Sequence, residues 1–127
     1  MKRWLALPAV VLGLAACGGG GATTYTEAAS AKCLTAQGVT VSHDVDFVAS
    51  TALGGSFKAI LSDNFVTVSF GDTTTDADNI ADAYRRFRAA NVGIADVLRQ
   101  QGNAVMLWHE HPSDTDISTI TGCLKAK

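Results

Sequence analysis

Residues 57–70, FKAILSDNFVTVSF, decide how this chain folds. Phe57, Ala59 and Leu61 alternate with other residues, Ser62-Asp63-Asn64 supplies a turn, and Val66, Val68 and Phe70 alternate again. Side chains on a strand point to opposite faces with a period of two, so two such runs joined by a turn predict a β-hairpin. Working outward, Ala104 to Trp108 (AVMLW) is an unbroken apolar run of strand length, which predicts a central strand buried on both faces. Upstream, Val39, Val41, Val45 and Phe47 alternate as a strand would, although Asp46 can instead cap a short helix from Phe47 to Leu53, ended by Gly54-Gly55.

Helices flank these strands. Thr24-x-x-Glu27 is a capping-box pattern that opens a helix to about Gln37, with Gly38 as its stop and Tyr25, Ala29 and Cys33 facing inward. After a polar loop from Gly71 to Thr75, Asp76 caps the clearest amphipathic helix, whose inward face is Ile80, Ala83, Tyr84, Phe87 and Asn91. Residues 92–103 predict one helical turn around Ile94 to Leu98, closed by Gly102-Asn103. Pro112 and Ser113 start a last helix that buries Ile117, Ile120 and Leu124. The order α-β-(short α)-β-β-α-β-α predicts an α+β fold. Its inner six elements follow the ferredoxin-like, split βαβ order of an antiparallel sheet, with flanking N- and C-terminal helices.

The first residues belong to a leader, not to that fold. Lys2 and Arg3 make a positive n-region, and Trp4 to Leu14 is an apolar run of 11 residues interrupted by Pro8 and Gly13. A bilayer-spanning helix needs about 20 apolar residues, so this one is too short to remain as a span. Leu14-Ala15-Ala16-Cys17 follows, and those four residues resemble the lipobox of bacterial lipoproteins. The resemblance implies that the Cys17 thiol receives a diacylglyceryl group, that cleavage falls just before it, and that the mature chain is held by its acyl chains on the cell membrane or outer envelope, outside the cytoplasm. An ordinary secretory signal cut after Ala22 would place cleavage eight residues beyond Leu14, far from the apolar run. Two or more acyl chains hold firmly, at about 0.8 kcal/mol per buried methylene.

The expected organisation is therefore a signal peptide at 1–16, a lipidated Cys17 and glycine-rich tether at 17–24, and a single domain at 25–127. Gly18 to Gly21 have no side chains to pack, and the stretch from Cys17 to Thr24 reaches at most about 25 Å. With Cys17 lipidated, Cys33 and Cys123 remain as an even pair in an oxidising compartment, 90 residues apart and outside any Cys-x-x-Cys motif. That pattern predicts a structural disulfide.

Composition narrows the function. With 47% hydrophobic and 17% charged residues among 127, the chain is a folding one. Its formal charge of −2 becomes −4 once the leader takes away Lys2 and Arg3, which gives no electrostatic reason to expect nucleic acid. No phosphate-binding loop, Gly-x-Ser-x-Gly or His-Glu-x-x-His motif occurs, and no paired acid and base or activated nucleophile points to an enzyme. Arg85, Arg86 and Arg88 read as the solvated side of their helix, and Asp72, Asp76 and Asp78 as helix-start acids without the spacing of a calcium loop.

Trp108-His109-Glu110-His111-Pro112 is the candidate metal site. If the strand continues, His109 and His111 share a face and could share Cu²⁺ or Zn²⁺, with Glu110, His43 or Asp44 as a third ligand. The expected function is a lipid-anchored, non-enzymatic module without a cofactor that binds a protein, peptide or glycan partner. The alternative is a metal-handling lipoprotein that uses His109 and His111.

Overall fold

A computed structural model of the chain describes residues 24–87 and 93–126. The expected leader, lipobox at Cys17 and tether up to Thr23, as well as Arg88, Asn91 and Lys127, lie outside the described residues. Within them, five helices flank one antiparallel sheet of five strands, in the order β1-β2-β3-β5-β4. The fold is α+β. The strands are β1 (Thr40–Ser42), β2 (Ser56–Ile60), β3 (Phe65–Phe70), β4 (Leu98–Gln101) and β5 (Ala104–Trp108). The helices are α1 (Glu27–Ala36), α2 (Phe47–Ser50), α3 (Thr74–Phe87), α4 (Ile94–Val97) and α5 (Asp114–Gly122).

The hairpin from Phe57 to Phe70 forms, with Phe57 opposite Val68 and Ala59 opposite Val66. The run Ala104 to Trp108 is buried at every residue and lies between β3 and β4. The expected strand through Val45 and Phe47 stops at Ser42. Asp46 instead caps α2, its Oδ1 accepting the Ala49 N–H at 2.9 Å, which leaves Phe47 77% exposed.

The strand order differs from the split βαβ order expected for the inner elements. That order would separate the first two strands by a third, but β1 and β2 pair directly and antiparallel. The reason is the length of α2. Four residues rise only about 6 Å, too little to return the chain along a strand. The 14-residue α3 does reach across, so β3 and β4 run parallel with β5 between them. A split βαβ unit therefore occupies the second half of the sheet. The helical turn expected around Ile94 to Leu98 forms as α4, and the unit uses a strand directly after it, Leu98–Gln101, that the sequence does not predict. Gly102-Asn103, expected to close that turn, is the β4–β5 hairpin turn, with Gly102 at φ +55°.

Strand alternation sorts the side chains into two cores. On one face Phe57, Val66, Val68, Phe70, Met106 and Trp108 pack with Leu34 of α1 and Ile120 of α5. Cys33 and Cys123 join these two helices through a disulfide, with their Cα atoms 5.4 Å apart. On the other face Val105, Leu107 and Leu98 meet Ala77, Ile80, Ala81 and Tyr84 of α3 and Val48 of α2. Phe87, expected on the inward face of α3, is 74% exposed, because buried cover ends one turn earlier at Tyr84.

Two asparagines clamp the ends of the β3–β5 pair. Asn103, 2% exposed, donates to the Gly71 and Tyr25 carbonyls and accepts the Tyr25 N–H at 2.8 Å. Asn64 accepts the Phe65 and Glu110 N–H groups and donates to the Glu110 carbonyl. The first described residues are fastened at the Asn103 end too, since Thr26 N–H donates to the Lys125 carbonyl. This end is called proximal below, and the Asn64 end distal. At the proximal end Gly71 has no room for a side chain, because a Cβ would come within 2.6 Å of Ala77 N and Thr73 O.

Candidate functional site

A cleft of about 200 Å³ opens on the α2/α3 face toward the distal end. Its floor is one cross-strand row. Lys58 of β2 stands opposite Thr67 of β3, and Thr67 opposite Leu107 of β5. Its distal wall is Phe65 with His109, their rings stacked with centroids 4.4 Å apart and 14° between planes. The segment leading into α2 forms the remaining wall with Asp44 and Asp46.

The charged groups of this cleft differ in how they are held. The Tyr84 hydroxyl donates to both Asp46 carboxylate oxygens, at 3.0 and 2.9 Å, while the same carboxylate caps α2. Asp46 is thus committed to structure. The Asp44 backbone N–H donates to Ser42 Oγ at 3.2 Å, which fixes the turn and leaves its carboxylate exposed. The Lys58 ammonium stands 5.3 Å from the centroid of the Phe65 ring, a cation–π distance. Among the described residues, neither the Lys58 ammonium nor the Asp44 carboxylate has an ion-pair partner.

The expected metal residues are placed as follows. His109 stacks on Phe65 in the cleft wall, and its backbone N–H donates to the Phe65 carbonyl at 2.9 Å. β5 ends at Trp108, and Asn64 holds the backbone of Glu110. His111 lies beyond this point with Nδ1 2.8 Å from Asp96 Oδ1, an oxygen that also faces Arg99 at 3.8 Å. His43 pairs through Nε2 with Glu27 Oε1 at 2.8 Å. Among the described residues, no group of three or more His, Cys, Asp or Glu is placed to hold a metal ion.

Lys58, Phe65 and Thr67 were not singled out in the sequence. A signal was present all the same, because Lys58 and Thr67 each interrupt an apolar strand on the same face. That spacing also fits a solvated sheet face, and only the position of α2 turns it into a cleft.

Two apolar hollows lie elsewhere on this side. One is lined by Phe47, Val48, Tyr84 and Phe87, the other by Leu53, Ile80 and Ala83. Among the described residues no helix is long and apolar enough to cross a membrane. Comparison with family models, with curated proteins and with solved structures finds no match.

Proposed function

We propose that this chain is a lipid-anchored envelope module on the outside of the cytoplasmic membrane or on the outer envelope, and that it acts by binding rather than by turnover. The Asp44–Lys58–His109 cleft is its binding site. One observation carries this reading. The cleft presents unpaired charge on a half-covered sheet face at the distal end, while Tyr25, to which the tether leads, is fastened at the proximal end. A domain held at one end by lipid would thus offer its site to the other side.

The copper- or zinc-handling alternative asks more of the same residues. His111 would have to leave Asp96, and His109 would have to leave its stack on Phe65. Two imidazoles without a third ligand make a weak site. The geometry therefore favours the cleft.

The anchor is tested by expressing the full chain and a Cys17→Ser variant in a bacterium that processes lipoproteins, then fractionating the cells and weighing the N-terminal peptide. The expected result is membrane-bound protein whose first residue is a diacylglyceryl-modified Cys17, and loss of that modification in the variant. An N-terminal peptide that begins at Thr23, or one that retains the leader without lipid, would contradict it.

A further inference from the structure

We propose that the cleft takes a small zwitterion of α-amino acid size, with Lys58 holding the carboxylate and Asp44 the ammonium. This rests on the reading of the cleft as a binding site and names the ligand class. The argument starts from charge. A cation and an anion line one cleft without an ion pair to each other or to another described residue, and the charge contact of the Lys58 ammonium is with the Phe65 ring. Charges of both signs gathered in a concave site attract a complement more strongly than the same charges spread over open surface.

A ligand of one sign would satisfy one group and be repelled by the other. A ligand that carries both signs satisfies both, so the pair selects against simple amines and simple acids alike. Size agrees with this choice. Pockets for drug-sized ligands measure roughly 300–1,000 Å³, and this cleft measures about 200 Å³. The Thr67 side chain, beside Lys58 on the floor, adds a hydroxyl to the lining. Phe65 is already covered by the His109 ring, which argues against its use as a stacking platform for a sugar.

The test is a titration of the full lipidated chain in detergent with the common L-amino acids, D-alanine and the dipeptide Ala-Ala, followed by backbone amide NMR. The tightest binder is then compared with its decarboxylated and deaminated analogues. The proposal expects at least one amino acid to bind at about millimolar or tighter, with both analogues at least roughly tenfold weaker. Lys58→Met should reduce the amino acid to the affinity of its amine analogue, and Asp44→Asn to that of its acid analogue. Both variants should keep the denaturation midpoint of the parent. Tighter binding of Ala-Ala than of any free amino acid would overturn the size assignment. Equal binding of the singly charged analogues at Phe65, Thr67 and His109 would overturn the ligand class and leave the cleft as a binding site. No shift at the cleft with any of these compounds at about 10 mM would overturn the proposal too. In that case a wider set of uncharged fragments decides whether the cleft binds anything.

Discussion

The two faces of this sheet are made by the same strands and finished in different ways. Under α1 and α5, six large apolar side chains from β2, β3 and β5 are sealed by helices that a disulfide joins. Under α2 and α3, the same strands offer Lys58, Thr67 and Ser69 beside Val105 and Leu107. There the cover is a four-residue helix and one long helix whose last phenylalanine is exposed. The first face has the composition of a core. On the second, short cover and polar strand residues leave a cleft with free charge. On the proposed reading, stability and binding are divided between the faces, and the division can be attacked from either side.

The largest effect belongs to the sealed face. Replacing Cys33 and Cys123 together by Ala opens a loop of 90 residues, for which chain entropy predicts a loss of about 4–5 kcal/mol. Urea denaturation of the oxidised parent and the variant measures it. Phe70→Ala, at a fully buried ring on the same face, should cost about 3–5 kcal/mol. Phe65→Ala, in the half-exposed wall of the cleft, should cost roughly 1 kcal/mol. Equal losses at Phe65 and Phe70 would mean that the cleft face is as tightly built as the other, and the comparison would fail.

The Asn103 clamp sits between these extremes. Asn103→Ala leaves the Tyr25 N–H and two carbonyls without their partner and should cost about 2 kcal/mol or more. Hydrogen exchange should rise first at Tyr25 and Thr26, the residues that Asn103 and Lys125 fasten. The smallest effects on stability belong to the cleft charges. Lys58→Met and Asp44→Asn should each stay within about 0.5 kcal/mol of the parent, since neither residue has an ion pair to lose and a methionine can keep the Lys58 stem against Phe65. For metals, the same logic predicts that a His109→Ala/His111→Ala variant binds Cu²⁺ and Zn²⁺ as the parent does in native mass spectrometry. Loss of one tightly bound ion per chain in that variant would restore the metal reading.

Local signals made much of the sealed face legible. Alternation marked the Phe57–Phe70 hairpin, an unbroken apolar run marked β5, and Ile117 and Ile120 marked the inner side of α5, while Leu124 is buried just past its end. The parity of cysteines marked the Cys33–Cys123 bond, with one of the three assigned to lipid. Asp46 as a helix cap was one of two readings of its segment, and its hydrogen bond to Ala49 shows why strand periodicity lost. β4 was harder to see. Leu-Arg-Gln-Gln lies at the sheet edge with only Leu98 buried, so neither alternation nor β-propensity singles it out. The strand order was hidden for a related reason, because it depends on how far each connection can carry the chain. α2 and α3 differ in exactly that respect.

The cleft was less legible than the fold. Asp44 and His109 were singled out as possible metal ligands, but Lys58, Phe65 and Thr67 belong to a hairpin whose apolar partners drew attention to the other face. What brings these residues together is the path of residues 43–46 across the sheet, and no local pattern specifies that path.

The central claim is that the half-covered face binds and the sealed face does not. Its most direct test is a fragment screen on the full chain in detergent, using small polar and apolar compounds mapped residue by residue with amide NMR. The account predicts shifts that cluster at Asp44, Lys58, Phe65, Thr67 and His109 and weaken in Lys58→Met. Shifts confined to the apolar hollows around Phe47, Phe87 and Leu53, or no specific shifts at all, would contradict it.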